Sequence, residues 1–168
     1  HAQARFEEGI IARVVWNIDP ALKVSIILNL ENEINASEMS ALLNAYRDDA
    51  PDSAVEWIIL NHSGNQLDIG MTLTGVPEID PQIITLSRED TQASALNHAA
   101  ALASGDVLIF ISSRLKPEQL GSLSELVGWT SHQDIGVVGG QLLQPNLTIA
   151  QTGYVLNLGG VVGSLGVG

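Results

Sequence analysis

Cysteine is absent from the 168 residues, which removes a disulfide framework, a thiolate zinc site, an iron–sulfur cluster and a cysteine nucleophile together. Cations are scarce. Seven Lys and Arg stand against nineteen Asp and Glu, for a formal net charge of −12. A phosphate backbone is neutralised by Lys and Arg, so this balance argues against nucleic-acid binding and against a polybasic membrane surface. Long apolar runs are missing too. Val24–Leu30 and Val107–Ile111 fall far short of the roughly 18 residues of a spanning helix, so no integral membrane segment is expected in this chain. The first residues carry Arg5, Glu7 and Glu8 with no apolar stretch of signal-peptide length, and secretion is not indicated. The expected location is cytoplasmic, with any attachment to a membrane peripheral and made through the rest of a parent protein.

What is present is aliphatic: 45% of residues are hydrophobic but 4% aromatic. A chain of this length can bury roughly 70% of its unfolded surface in one core. Val24–Leu28, Val55–Leu60, Gln82–Leu86, Val107–Ile111 and Ile135–Val138 are short, near-continuous apolar runs of the kind that suits strands buried on both faces. Between them the period becomes helical. Met39, Leu42, Leu43 and Tyr46 make one stripe, Asn35 with Glu38 reads as a capping box, and Ile34 with Met39 as a hydrophobic staple. A second helix is predicted from about Thr91 to Ser104, with Leu96 and Ala100 on one face and Gly105 as its C′ residue. A third is predicted from Pro117, with Leu120, Leu123 and Val127 inward. Asp19-Pro20 marks an opening turn, and Ala2–Trp16 reads as either a helix or an edge strand. Strands alternating with helices at this spacing predict an α/β fold, a three-layer α/β/α domain around a mostly parallel, Rossmann-like sheet. Starting at His1 and ending in a run of Val and Gly, the chain is expected to be one part of a longer protein with a further C-terminal domain.

Ligands of open α/β sheets bind beyond the carboxyl ends of the strands. Three polar clusters follow strands there: Asn29–Glu33, Asn61–Asn65 and Ser112–Arg114. The plain alternative is that they are ordinary βα loops. Phosphate-loop, dinucleotide, H-E-x-x-H and G-x-S-x-G motifs are all absent. His62, His98 and His132 lack metal-ligand spacing, and His98 and His132 read as surface residues.

The order of these clusters resembles the family 2 glycosyltransferases of the GT-A fold. Val24-Ser25-Ile26-Ile27-Leu28-Asn29-Leu30-Glu31-Asn32-Glu33 is similar to their opening V-S-I-I-I-P-x-Y-N-E, and Glu56–Gly64 to a second strand ending in V-V-D-D/N-G-S. Asn97, Ala99, Gly105 and Asp106 match A-x-N-x-A…A-x-G-D. Ile135–Gly140, Leu142-Leu143, Pro145, Thr148-Ile149 and Gly153 match a later glycine-rich stretch, and Gly159-Gly160 parallels a glycine pair of members that build surface polysaccharide. The resemblance implies a GT-A-like nucleotide-sugar-binding domain over 23–168, truncated at its C-terminal end, with 1–22 as an N-terminal extension. The implied partner is a nucleotide-diphospho-sugar, and the implied reaction is inverting glycosyl transfer by the full-length protein in surface polysaccharide synthesis.

The departures are as informative. The family's D-x-D-like metal signature reads Ser112-Ser113-Arg114 here, without a carboxylate. Mg²⁺ or Mn²⁺ is expected for the family, yet its ligands are missing, since these ions favour carboxylates and water. The second-strand Asp pair reads Asn61-His62, the base-stacking Tyr reads Glu31, the Pro before it Asn29, and a basic position before the fourth strand falls at Thr91. The donor-site candidates are therefore Asn29, Glu31, Asn61, His62, Thr91, Ser112, Ser113 and Arg114. No catalytic residue is assigned, because the family's general base lies beyond the stretch matched. Two interpretations stand. Arg114 replaces the metal, its planar, permanently charged fork neutralising a diphosphate. Alternatively, the donor site has decayed, leaving a non-catalytic module with an assembly or recognition role. A third reading has Arg114 simply paired with Glu118 or Asp106 on the surface.

Overall fold

The computed structural model describes residues 2–6, 12–31, 34–62, 73, 76, 78–87, 89–156 and 162–165. The chain divides into two compact units, 1–128 and 129–168.

The first unit opens with an antiparallel pair, β1 (Ala2–Phe6) and β2 (Ala12–Trp16), in register from Ala2↔Trp16 to Phe6↔Ala12. The helical alternative for Ala2–Trp16 is thereby set aside. The Asp19-Pro20 turn forms as expected: Asp19 accepts the Leu22 N–H on its carbonyl at 2.9 Å and the Ala21 N–H on its carboxylate at 2.9 Å. The central sheet follows, built from β3 (Lys23–Leu30), β4 (Ala54–His62), β5 (Gln82–Leu86) and β6 (Val107–Ser112). Its order is β5-β4-β3-β6, with every pairing parallel. The chain runs outward from β3 through β4 to β5, then crosses back to place β6 on the other side of β3. The strand order therefore reverses between β3 and β6.

Helices cover the two faces, and the period of two along each strand decides which residue meets which helix. Val24, Ile26, Leu28 and Leu30 of β3, with Trp57, Ile59 and Ile111, pack on α1 (Ala36–Asp49) through Met39, Leu42, Leu43 and Tyr46, and on α3 (Ser122–Thr130) through Leu123 and Val127. The alternate residues Ile27, Ile58 and Leu60, with Leu86, pack on Ala95 and Ala99 of α2 (Gln92–Leu102). The buried centre of α2 thus lies one residue before the expected Leu96 and Ala100, which flank it. Helix α1 starts as its sequence directs. The Asn35 side chain accepts from the Glu38 N–H at 2.9 Å, and Glu38 accepts from the Asn35 N–H at 3.2 Å.

Three local expectations are corrected. Ile135–Val138 forms no strand, and Val137 is almost fully exposed; three glycines in six residues weaken a strand that has no ladder partner. The third helix starts at Ser122 rather than Pro117, which leaves Leu120 exposed. Gly121 (φ +88°) makes the preceding turn. The buried Asp49 carboxylate then accepts the first N–H groups of α3, from Ser122 at 2.7 Å and Leu123 at 2.9 Å, satisfying donors that a helix start leaves orphaned. Gly105 is not a helix C′ residue. Its missing side chain admits Ser25: a Cβ there would lie 2.5 Å from Ser25 Oγ. Around it Ser25 donates to Glu56, Gly105 N–H donates to Ser25 Oγ at 2.8 Å, and Ser104 N–H donates to Glu56 at 2.9 Å. Asp106 closes the same end of the sheet, accepting the Lys23 N–H at 3.0 Å.

The second unit holds two antiparallel pairs, β7 (Leu142–Leu143) with β8 (Ile149–Gln151) and β9 (Gly153–Leu156) with β10 (Val162–Leu165). The turn of the first is made by Pro145–Leu147, with Leu147 at φ +65° and the Asn146 side chain accepting from Thr148. Among the described residues, no helix is long and apolar enough to cross a membrane. Of the polar cluster residues, Asn32, Glu33 and Ser63–Asn65 lie outside the described residues, as does the Gly159-Gly160 pair.

Candidate functional site

The reversal of strand order between β3 and β6 creates a crevice at the carboxyl edge, the place where sheets of this kind take ligands. Seven of the eight candidates lie at that edge on β3, β4 and β6 or directly after them. Asn29 is the next-to-last residue of β3 and pairs in register with Ser112 on one side and Leu60 on the other. Its alternation places it on the α2 face together with His62 and Ser112. His62 Nε2 sits 3.2 Å from Asn29 Oδ1. Asn61 is also buried, on the opposite face with Trp57 and Ile59. Both asparagines have an unpartnered buried atom, Nδ2 of Asn29 and Oδ1 of Asn61. Such atoms carry a desolvation cost until a partner arrives.

The segment after β6 is fixed against the end of β3. Ser113 N–H donates to the Asn29 carbonyl at 2.9 Å, and Glu31 N–H donates to Ser113 Oγ at 3.3 Å. Ser112 closes the turn, accepting the Leu115 N–H on its carbonyl at 3.0 Å and the Arg114 N–H on its hydroxyl at 3.2 Å. Arg114 projects from this turn with its side chain 68% exposed, and Nη1 lies 4.0 Å from Glu31 Oε2. Pairing of Arg114 with Glu118 or Asp106 is thereby corrected: Glu31 is its partner, and Asp106 is held by the Lys23 backbone. An exposed pair at this distance contributes little to stability, which leaves the guanidinium free to exchange partners.

Thr91 stands apart from this cluster, as the N-cap of α2 after the outer strand β5. Its hydroxyl accepts the Ser94 N–H at 3.1 Å. His98 and His132 are exposed.

A cleft of about 500 Å³ opens between α1 and the segment after β6, lined by Ile34, Glu38, Ala41, Leu42, Ala45, Ser113, Arg114 and Lys116. Lys116 and the α1 wall were not anticipated from the sequence. The signal was there in the cations: two of only seven fall within three residues, 114–116.

The described residues of this edge do not fit a divalent metal. Glu31 is the carboxylate at the described edge, and it faces a guanidinium. The remaining groups are hydroxyls, amides and the single imidazole of His62, a set without the carboxylates that Mg²⁺ and Mn²⁺ favour. Among the described residues, no group of three or more His, Asp or Glu could hold an ion.

The chain aligns in three dimensions with a mannosyltransferase, PcManGT from Pyrobaculum calidifontis, solved in complex with GDP-Man and Mn²⁺. The TM-score is 0.61 at 18% identity, over 78% of this chain and 39% of that one. The chain has a glycosyltransferase-like fold. It is also 30% identical over 87 residues to an O-antigen biosynthesis protein, RfbC, of Myxococcus xanthus, a match spanning 51% of this chain but 7% of that relative. No family model matches.

Proposed function

We propose that this chain is the donor-binding part of a family 2, GT-A-type glycosyltransferase, and that it holds a nucleotide-diphospho-sugar at the carboxyl edge of β3, β4 and β6. Arg114 meets the diphosphate directly, in the role a metal ion has elsewhere in the family. The observation that carries this reading is the tying of the β3 and β6 ends through Ser113 and Asn29, which presents an exposed guanidinium at the point of strand reversal. Guanidinium–phosphate bonds are charge-assisted and bidentate, so one Arg can supply both charge and orientation. Asn29 Nδ2 and Asn61 Oδ1, the unpartnered buried atoms, are available to polar groups of the ligand. The mannosyltransferase likeness supports a nucleotide-sugar ligand, and the O-antigen relative supports surface polysaccharide as the product. In the full-length protein the transfer is inverting. It needs a general base within hydrogen-bond reach of the acceptor, and we place that base outside this chain.

A second reading is favoured by one observation. The turn at 112–114 offers hydroxyls and a guanidinium where the family places carboxylates, and Glu31 already occupies that guanidinium. On this reading the chain is a non-catalytic relative serving assembly or recognition.

Thermal unfolding with UDP, GDP and dTDP, each with and without Mn²⁺, separates the two. A ligand at 100 times its Kd stabilises by about 2.7 kcal/mol, which is a shift of several degrees at this size. A metal-independent shift supports the donor reading. No shift with any nucleotide at millimolar concentration supports the non-catalytic one.

A further inference from the structure

We propose that Tyr46 is a positioning residue for the donor site: on the donor reading above, its hydroxyl fixes the backbone that carries Arg114 and so sets where the guanidinium meets the diphosphate. Tyr46 belongs to the apolar stripe of α1 and is 4% exposed. The ring accounts for the stripe, and a phenylalanine would fill it as well. The hydroxyl needs a separate reason, because a buried O–H costs stability unless it is bonded. It donates to the Leu115 carbonyl at 2.9 Å, 69 residues away. That carbonyl belongs to the residue directly after Arg114. The residue directly before, Ser113, is tied by its N–H to the Asn29 carbonyl at 2.9 Å. Arg114 is therefore held through its two neighbours, one bonded to β3 and the other to α1. Its own side chain is exposed, and its ion pair is the 4.0 Å contact to Glu31. An exposed pair of that length does little to fix a flexible side chain, so the backbone decides where the charge stands. The Arg114 and Leu115 N–H groups both return to Ser112, which shapes the turn without attaching it to another element. Asp49, one turn along the same face of α1, holds the far end of the segment through the Ser122 and Leu123 N–H groups. The last turn of α1 thus grips both ends of 115–122, and Tyr46 holds the end beside Arg114. Burial and the Asp49 charge push the Tyr46 pKa up, so the hydroxyl stays a donor at neutral pH.

Tyr46→Phe keeps the ring and removes the bond. UDP, GDP and dTDP are titrated calorimetrically in EDTA into the native chain, Tyr46→Phe, Arg114→Ala and the double variant. Tyr46→Phe is expected to weaken the best-bound nucleotide by about threefold to tenfold in the native background, the coupling usual within one hydrogen-bonded network, and by less than about 1.5-fold in the Arg114→Ala background. A role in stability alone would weaken both backgrounds equally or neither, and either result would overturn the proposal. Leu43→Val loosens the buried stripe of α1 and leaves the hydroxyl in place. It is expected to keep the affinity within about 1.5-fold, and a loss matching that of Tyr46→Phe would overturn the proposal too. Amide exchange gives a ligand-free reading: in Tyr46→Phe the Arg114 and Leu115 N–H groups are expected to exchange about tenfold faster relative to the amides of β3 and β4. Unchanged relative rates would contradict the positioning role. Nucleotide binding weakened by Arg114→Ala but indifferent to Tyr46→Phe would sink the positioning role alone, whereas no binding to the native chain would sink the donor reading and the positioning role with it.

Discussion

Arg114 faces Glu31 across the carboxyl edge, Nη1 to Oε2 at 4.0 Å, from a turn pinned by the Ser113 N–H to the Asn29 carbonyl. The two charges come from opposite sides of the strand reversal, and an anionic ligand at Arg114 competes with Glu31. Glu31→Gln is therefore expected to tighten binding of a nucleoside diphosphate by about twofold to fivefold, the size of an exposed ion pair. The unfolding free energy should stay within about 0.5 kcal/mol. Titration calorimetry and urea denaturation of the same variant check both halves.

The Asp49 carboxylate closes α1 onto α3 by accepting two backbone N–H groups while 1% exposed. Asp49→Ala leaves those donors buried without partners. The expected loss is about 1–3 kcal/mol in urea denaturation, with fast amide exchange at Ser122 and Leu123. The neighbouring Tyr46 hydroxyl donates to the Leu115 carbonyl at 2.9 Å. Its pKa is pushed well above the ordinary tyrosine value, by burial first and by the Asp49 charge second.

Gly105 and Gly136 make a matched pair. A Cβ on Gly105 would lie 2.6 Å from the Ser25 backbone nitrogen, whereas one on Gly136 would meet nothing within 4 Å. Gly105→Ala is expected to cost about 1–3 kcal/mol through overpacking. Gly136→Ala should change the unfolding free energy by less than about 0.5 kcal/mol.

Glu56 gives the fold an acid-sensitive joint. Its carboxyl is held below the ordinary 4.5 by the Ser25 hydroxyl first and by the Ser104 N–H second. A carboxylate with a depressed folded pKa contributes stability that is full above the unfolded value, and lost as pH falls through the folded one. Urea midpoints should therefore drop as pH falls below about 4.5, and the drop should be smaller in Glu56→Gln.

Much of the sheet was legible because its strands carry their own signal. Val24–Leu28 and Val55–Leu60 carry aliphatic residues on both faces, interrupted by Ser25, Glu56 and Trp57, and the Asn35–Glu38 box marks a helix start within four residues. The strands extend further than that signal: Asn29, Asn61 and His62 are polar, yet they continue β3 and β4. The misread elements depend on distant partners. The start of α3 is set by Asp49, 73 residues away, and no local pattern near Pro117 contains it. Ile135–Val138 is apolar enough for a strand but lacks a ladder. Gly105 looked like a helix stop because it follows one, whereas the reason for it is Ser25, on a strand 80 residues earlier. At the site, seven of the eight residues singled out from the sequence lie at the strand ends, and Thr91 caps a helix apart from them. The pairing of Arg114 with Glu31 and the cleft beside Lys116 required the fold.

On the donor reading, Arg114 meets a diphosphate without a metal. Calorimetric titration of UDP, GDP and dTDP in EDTA, into the native chain and Arg114→Ala, tests it most directly. Saturable binding of at least one nucleotide in EDTA is expected, weakened by about tenfold or more in Arg114→Ala, as for loss of a charge-assisted hydrogen bond. Binding that requires Mn²⁺, or that survives Arg114→Ala unchanged, would contradict it.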